Sequence, residues 1–214
     1  MSDRLLHLVR HGEVLNPDGV LYGRLPGYGL SELGQRMAAA AAQELHRADR
    51  PLGRLIASPL LRAQQSAAPI AELFAKDLDT DERLIEPTND FEGQPKSAFG
   101  KPRNWFRFWN PLRPSWGEPY RQIADRARAA MDDAWAAADV AGTAGDIVMV
   151  SHQAVIWATH RDVAGEPLFH NPARRRCELS SITSFARRDG AWVEVDYRTP
   201  AADLVAGSID VGAV

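Results

Sequence analysis

Two histidines and two arginines stand close behind three apolar runs of the sequence. Arg10 and His11 end the first run, Arg62 follows the second by a few residues, and His152 follows the third. An imidazole can act as a nucleophile, and a guanidinium group offers forked N–H donors that suit anions. These residue types predict a nucleophile with an anion clamp, in a pocket for a dianion.

The three runs have the pattern of strands that are buried on both faces. They are residues 5–9, 55–57 and 146–150. Ser58 is expected to be the N-cap of a helix and Pro59 its first residue, which puts Arg62 in a first turn where the helix N-terminus favours anions. If the three strands are neighbours, their ends bring the histidines and arginines together.

Strand-like and helix-like segments alternate along the whole chain. This alternation predicts an α/β fold, a three-layer sandwich with a mostly parallel central sheet flanked by helices on both faces. Four helices are expected. The first begins after a Ser31 cap, and the others run from 59 towards 74, from about 120 to 140, and from 154 to 164. Pro69 lies inside the second of them and should kink or end it.

The last third of the chain is expected to form a hairpin and a tail. Residues 180–186 and 191–197 alternate around Asp189 and Gly190, a dipeptide typical of hairpin turns. Residues 201–214 are rich in Ala, Gly and Val without clear periodicity, which predicts a mobile tail. We therefore expect a single domain over residues 1–200.

The motifs resemble those of the histidine phosphatases, the phosphoglycerate mutase-like superfamily. The hallmark Arg-His-Gly after the first strand is matched by residues 10–12, followed by the usual Glu. Residues 58–63 match the signature Ser-x-Leu-x-Arg-Ala. Ser151 and His152 match the late Ser/Thr-His-Gly signature, with Gln153 where Gly is usual. The resemblance runs from about residue 4 to residue 197, in the family's order.

The resemblance implies a phosphate pocket without a metal. A neutral nitrogen of His11 would attack phosphorus and form a phosphohistidine, while Arg10 and Arg62 bind the phosphoryl oxygens. His152, if protonated, would add a third cation to the catalytic site. Asn16 resembles a residue of the family's first loop and is a further candidate for phosphate binding.

A carboxyl group with a raised pKa must protonate the leaving group. The family's donor is a glutamate in a Leu-x-Glu pattern followed by Glu-Gly, and residues 84–86 and 92–93 match its two parts. The spacing between them is one residue shorter than expected and lacks the usual Gly. Glu86 is predicted to be the general acid and later the general base on water, with Glu92 and Asp90 as alternatives.

Two basic segments bear on specificity. Residues 95–117 carry five basic and six aromatic residues and no acidic one. They predict either a lid insertion at about 95–118 that contacts substrate, or a small hydrophobic subcore with a solvated basic rim. Glu118 is expected to support the start of the next helix. The run 174–176 is Arg-Arg-Arg, expected as a surface patch, with contact to an anionic substrate as the alternative.

Composition narrows the possible partners. The 214 residues are 45% hydrophobic and 25% charged with a net charge of -3, which gives no cationic excess for nucleic acid or a membrane surface. No apolar run approaches the roughly 20 residues that span a bilayer. The single cysteine, Cys177, speaks against a structural zinc site and fits a reducing compartment. We expect a cytoplasmic protein without a signal peptide, a metal or a cofactor.

Phosphatases and mutases of this kind share the pocket and differ in whether water or a second hydroxyl discharges the phosphohistidine. The insertion does not resemble the glutamate-rich, lysine-bearing insert of mutases. The prediction is therefore a metal-independent phosphatase, a phosphoric monoester hydrolase acting on a small phosphorylated metabolite. Phosphoglycerate mutase-type transfer is the alternative enzyme, and a phosphate-binding protein without turnover, suggested by Gln153, is the alternative outside enzymes. No substrate or oligomeric state is predicted.

Overall fold

A central sheet carries the loops of the site. The structure, a computed structural model, describes residues 4–100, 102, 109–110, 116–171, 174–206 and 208, without the side chains of Lys96 and Phe99. In this part of the chain six strands form the sheet: β1 (Leu6–Arg10), β2 (Leu52–Ala57), β3 (Leu78–Thr80), β4 (Asp146–Ser151), β5 (Ile182–Arg188) and β6 (Ala191–Arg198). Their order is β3-β2-β4-β1-β5-β6.

The sheet is parallel in its first part and antiparallel at one edge. β3, β2, β4 and β1 are parallel neighbours, whereas β5 pairs antiparallel with β1 and with β6. Val150 of β4 lies beside Val9 of β1 and Ala57 of β2. The carboxyl ends of these three strands therefore meet at one edge, as the predicted mostly parallel sheet requires.

Helices cover both faces of the sheet. They are α1 (Glu32–Arg47), α2 (Leu61–Phe74), α3 (Tyr120–Val140), α4 (Gln153–Val163) and the short α5 (Ala202–Val205). Leu8 of β1 packs in a core with Met131 of α3, while its neighbour Val9 packs in another with Ala41 of α1 and Ile70 of α2. This alternation confirms the predicted three-layer α/β sandwich. None of the described helices has the length and apolar composition needed to cross a membrane.

The start of α1 is fixed against the loop that follows β1. Ser31 is the predicted N-cap, and its hydroxyl accepts from the backbone N–H of Gly34 at 2.9 Å and donates to the Glu13 carboxylate. A Cβ on Gly12 would lie 2.3 Å from the carbonyl oxygen of Gly34. Glycine at position 12 is required because the two backbones approach this closely.

The start of α2 differs from the prediction. Ser58 is not its N-cap and Pro59 is not its first residue, because the helix begins at Leu61 after Leu60, which makes no side-chain cap bond. The Ser58 hydroxyl lies instead 2.7 Å from Nε2 of His152. The side chain that could cap the helix is thus engaged by the site.

Pro69 does not end α2, which continues for five residues to Phe74. The helix buries Ala67 and Ile70 against the sheet. Such burial outweighs the cost of one missing backbone donor, since tertiary packing routinely overrides local propensity.

The hairpin forms as predicted, and part of the following segment is packed. Asp189 and Gly190 have φ values of 50° and 79°, the left-handed pair that a tight hairpin turn needs. In the segment expected to be a mobile tail, Ala201 is buried with Met37 and Leu179, and α5 follows. Residues 207 and 209–214 lie outside the described residues, and mobility beyond α5 stays a prediction.

An ion-pair network lies at the amino ends of β1 and β4, which are the ends away from the histidines and arginines of the motifs. Arg50 donates two hydrogen bonds to the Asp146 carboxylate, at 2.6 and 2.7 Å, and the backbone N–H of Leu5 donates a third at 2.7 Å. His7 lies 3.3 Å from the same carboxylate. Burial raises the pKa of Asp146, but the bonds from Arg50, His7 and Leu5 outweigh it and hold that pKa far below its usual range.

Candidate active site

The carboxyl ends of β1, β2 and β4 deliver the predicted residues to one edge of the sheet. β4 lies between β1 and β2, so Arg10 and His11 come together with Ser58 and His152. Arg62 reaches the same place from the first turn of α2. All of these side chains are buried. The structure thus brings the two histidines and the two arginines into one pocket.

His11 is held as a neutral imidazole with an unprotonated Nε2. Its Nδ1 lies 2.7 Å from the backbone carbonyl oxygen of Gly12. Because a carbonyl can only accept, Nδ1 must carry the proton. Burial lowers the pKa of His11 well below its usual value, and the charges of Arg62 and Arg10 lower it further. The lone pair of Nε2 is therefore available for attack at neutral pH.

Each guanidinium group of the pocket donates a hydrogen bond to a backbone carbonyl. Arg10 donates from Nη1 to the carbonyl of Cys177 at 2.7 Å, and Arg62 donates from Nη2 to the carbonyl of Gly23 at 2.8 Å. The guanidinium carbon of Arg62 also lies 4.7 Å from the centre of the Tyr22 ring. These contacts hold the two guanidinium groups in place, and guanidinium donors of this kind suit the oxygens of an anion.

His152 lies between Ser58 and Glu86. Its Nε2 lies 2.7 Å from the Ser58 hydroxyl, its Nδ1 lies 3.3 Å from Oε2 of Glu86, and its ring centre is 5.2 Å from that of His11. Burial lowers the pKa of His152 well below its usual value, with Arg62 adding to the shift. The protein alone thus favours a neutral His152 over the predicted third cation, and a bound dianion would raise the pKa of His152.

Glu86 is a buried carboxyl group surrounded by arginines. Burial raises its pKa, while the charges of Arg62, Arg175 and Arg10 oppose the rise. Its backbone carbonyl accepts a hydrogen bond from Nε of Arg24 at 2.6 Å, which fixes the loop. A carboxyl group that keeps its proton to a higher pH than usual suits a proton donor.

The two alternative carboxylates have other surroundings. Oε1 of Glu92 accepts from the backbone N–H of Arg24 at 3.1 Å and packs against Gly23, where a Cβ would come within 2.3 Å of it. Asp90 is exposed. Of the three candidates, Glu86 is the one that the structure places against a histidine of the pocket.

Several buried polar atoms of the site have no hydrogen-bond partner among the described residues. Among them are Nε of Arg62, Oε1 of Glu86 and Nδ1 of His152. Buried polar groups are nearly always satisfied, so a cluster of unsatisfied ones points to a ligand. The oxygens of a phosphate ester would accept from Arg62 and from a protonated His152, and its ester oxygen would take the proton of Glu86.

The same pocket offers ligand atoms to a metal. One atom each of His11, Glu86 and His152 lie within 4.8 Å of one another. However, Arg10 and Arg62 lie close enough to both histidines that their charges add to the effect of burial in lowering the two pKa values. They would repel a metal cation by the same Coulomb term. The charge pattern favours an anion, and independence from metal stays a prediction.

Asn16 braces its own loop. Its amide donates to the carbonyl of Val20 at 2.9 Å, and its side-chain oxygen accepts from the N–H of Val20 at 3.2 Å. Its role in phosphate binding stays a prediction.

Much of the insertion lies outside the described residues. This applies to Lys101, Arg103, Trp105, Phe106, Arg107, Phe108 and Arg113, and to the side chains of Lys96 and Phe99. In the described part, Trp116 packs against the buried Leu21, Phe91 and Ala98. This cluster is an apolar contact of the kind expected if the segment forms a small hydrophobic subcore. That the segment forms a lid or a wall of the substrate site stays a prediction.

Glu118 supports α3 by ion pairs and not as a cap. The N-cap residue is Pro119, without a side-chain bond. The Glu118 carboxylate accepts two hydrogen bonds from Arg126 of α3, at 2.8 and 3.0 Å, and lies 3.4 Å from Nη2 of Arg24. Since Arg24 also binds the carbonyl of Glu86, this bridge ties α3 to the loop of the predicted acid.

The surface patch predicted at 174–176 is wrong for its middle residue. Arg174 and Arg176 are exposed, whereas Arg175 is partly buried against His170, and its charge acts on Glu86. No local signal distinguishes the middle arginine from its neighbours. The contact between Arg62 and the ring of Tyr22 was not predicted either, because no motif in the sequence connects the two residues.

Comparison with known proteins decides the family. The family model of the histidine phosphatase superfamily (branch 1) matches residues 6–199. The chain belongs to the histidine phosphatase superfamily. An uncharacterized protein of Mycobacterium tuberculosis, Rv0525, is 47% identical to it over 201 residues, which cover 92% of this chain and 96% of that protein. The resemblance drawn from the motifs is thereby confirmed.

Two further relatives in this superfamily have named activities. The structure of a mycobacterial glucosyl-3-phosphoglycerate phosphatase, Rv2419c, matches with a TM-score of 0.72 at 25% identity, covering 90% of this chain and 97% of that one. A 2,3-bisphosphoglycerate-dependent phosphoglycerate mutase of Thermoplasma acidophilum is 42% identical over 80 residues, 37% of this chain and 39% of that protein.

Proposed function

We propose that this protein is a phosphatase that hydrolyses a small phosphorylated metabolite, without a metal, through a phosphohistidine on His11. The observation that carries the proposal is the bond from Nδ1 of His11 to the carbonyl of Gly12. It leaves Nε2 unprotonated beside the buried guanidinium groups of Arg10 and Arg62. A phosphoryl group held by these two arginines would face a ready nucleophile.

In the first step Nε2 of His11 attacks phosphorus while the bond from phosphorus to the alcohol oxygen breaks. Arg10 and Arg62 donate hydrogen bonds to the non-bridging oxygens and stabilise their charge in the transition state. Glu86 gives its proton to the departing oxygen, so that the alcohol leaves as a neutral molecule.

In the second step Glu86, now a carboxylate, takes a proton from water as the water oxygen attacks phosphorus. The P–N bond breaks, its electron pair returns to Nε2 of His11, and inorganic phosphate is released. The charges of Arg62 and Arg175 stabilise the carboxylate between the two steps, against the burial that favours the acid. The same side chain thus serves first as acid and then as base.

The comparisons favour a phosphatase over a mutase. The likeness to the phosphatase extends over 90% of the chain, whereas the likeness to the mutase extends over 37%. Phosphoglycerate mutase-type transfer is the second candidate, because that shorter match is the higher in identity. In that reaction a second hydroxyl group, and not water, would take the phosphoryl group from His11.

We also propose that the partner is a small phosphate ester, with no nucleic acid or membrane partner, and that the protein is cytoplasmic. The net charge of -3 supports the absence of a nucleic acid or membrane partner, and the presence of a single cysteine in the chain supports a reducing compartment such as the cytoplasm.

Turnover without metal tests the proposal. para-Nitrophenyl phosphate and a panel of metabolite phosphates that includes 3-phosphoglycerate are incubated with the protein in EDTA, and phosphate and isomers are both measured. We expect phosphate from the wild type, none from His11→Ala, and normal release from His46→Ala, which changes an exposed histidine of α1. Formation of 2-phosphoglycerate without phosphate would establish a mutase, and no product from any substrate would contradict both.

A further inference from the structure

Arg175 lies where two helices begin next to the pocket. Its side chain hydrogen-bonds Tyr120, the first residue of α3, and its Nη1 lies 3.5 Å from Oε1 of Gln153, the first residue of α4. Its Nε donates to Nε2 of His170 at 2.9 Å. His170 can accept there because its Nδ1 bonds the carbonyl of Leu168 at 2.7 Å. The guanidinium group is therefore fixed in position.

This position is on the Glu86 side of the pocket. Gln153, which contacts Arg175, directly follows His152, and Nδ1 of His152 lies 3.3 Å from Glu86. Among the arginines whose charge opposes the raised pKa of Glu86, Arg175 follows Arg62 and precedes Arg10. Arg175 is thus near enough to the predicted proton donor for its charge to act on that carboxyl group.

The side of Glu86 is the side of the leaving group. A proton donor must reach the ester oxygen, so the alcohol part of a bound substrate would lie on the Glu86 side of its phosphoryl group. Neither α3 nor α4 has a side-chain N-cap, and both helix N-termini add positive potential at this point. The unpartnered Oε1 of Glu86 is a buried polar atom in the same region.

Gln153 ties this position to the phosphate pocket. Its Nε2 donates to the carbonyl of Cys177 at 3.4 Å, and the same carbonyl accepts from Arg10 at 2.7 Å. A glycine at position 153 could make neither this bond nor the contact to Arg175. Gln153 thus connects Arg175 to Arg10, because it contacts Arg175 and shares the Cys177 carbonyl with Arg10.

We propose that Arg175, positioned by Gln153, forms a second anion subsite for the alcohol part of the substrate. The subsite selects phosphate monoesters whose alcohol carries a further negative group, a carboxylate or a second phosphate. This inference rests on the proposed function, because the leaving-group side is defined by Glu86 as acid. A guanidinium group can bind either anion through its paired donors.

Matched substrate pairs test the subsite. O-phosphoserine and O-phosphoethanolamine differ only in the carboxylate, and ethylene glycol bisphosphate and monophosphate differ only in the second phosphate. We expect wild-type kcat/KM to favour the anionic member of at least one pair by about tenfold or more, as one charge-assisted contact allows. The pair that shows the preference identifies the anion. Arg175→Gln should reduce it to near unity, Arg175→Lys should retain part of it, and Arg174→Gln, at the exposed neighbour, should leave it unchanged.

A second variant and a binding measurement separate failure of the subsite from failure of the proposed function. Gln153→Gly should raise KM for the member with the second anionic group more than for the member without it, which provides a second variant if Arg175→Gln does not fold. Equal wild-type kcat/KM within both pairs, or a preference that survives Arg175→Gln, would overturn the subsite and leave the phosphatase proposal standing. If the wild type hydrolyses nothing, including para-nitrophenyl phosphate, the function fails. Calorimetric binding of the same pairs then tests the subsite. The subsite requires that the wild type binds the member with the second anionic group more tightly, and that Arg175→Gln loses this preference.

Discussion

Replacing Glu86 by Gln removes a proton and changes little else. The side chain is 3% exposed, and its burial raises the pKa of the carboxyl group, so that the neutral form persists to a higher pH than usual. Gln is neutral and nearly the same size. We therefore expect Glu86→Gln to fold with the melting temperature of the wild type, and the loss to be confined to proton transfer.

The expected loss depends on the leaving group. A general acid contributes about 10²–10⁴ in rate, which is about 3–5 kcal/mol of barrier. Glu86 is too deeply buried for solvent to replace it as donor, so the rate of phosphohistidine formation from an alkyl phosphate should fall about a thousandfold. A nitrophenolate leaves without a proton, so the same rate for para-nitrophenyl phosphate should fall less than about tenfold.

The burst phase measures this step separately from hydrolysis of the intermediate. Rapid-quench traces are recorded for both substrates with wild type, Glu86→Gln and the control Glu92→Gln, whose amide oxygen can still accept from the N–H of Arg24. Equal losses for the two substrates in Glu86→Gln would refute the acid. A larger leaving-group effect in Glu92→Gln would move the role to Glu92.

Three other properties follow from the structure. As the pH rises through the raised pKa of Glu86, kcat/KM for an alkyl phosphate should fall, because the proton is lost, and Glu86→Gln should lack this limb. Gly12→Ala should lower the free energy of unfolding by about 2–3 kcal/mol, because the added Cβ would meet the backbone of Gly34. Gly100→Ala places its Cβ in open space and should leave the free energy of unfolding unchanged, and thermal unfolding of the two variants makes the comparison. Asp146→Asn should cost about 2–3 kcal/mol at neutral pH. Because the lowered pKa stabilises the fold only while Asp146 is ionised, urea unfolding should show the gap to wild type narrowing below about pH 4.

Elements with one strong apolar face were predictable from the sequence, and elements shaped by distant contacts were not. The bounds of α3 agree with the predicted 120–140, because buried residues recur along its whole length. The start of α2 was missed because Ser58 bonds His152, which is 94 residues away. Local capping rules contain no term for such a contact.

The motifs located the site, but not all of its walls. Arg10, His11 and His152 converge because β4 lies between β1 and β2, a strand order that the sequence only suggested. Arg175 was predicted to be at the surface because its neighbours in the run have the same residue type. Its partly buried position depends on how the starts of α3 and α4 pack, which no periodicity encodes.

Trapping the intermediate tests the central claim most directly. Wild-type protein is mixed with para-nitrophenyl phosphate, quenched within the burst at alkaline pH, where phosphohistidine survives, and digested for mass spectrometry. We predict one added phosphoryl group on the peptide that contains His11, formed at the burst rate and absent from His11→Ala. A burst without that modification, or a phosphoryl group on another side chain, would contradict the role of His11 as nucleophile.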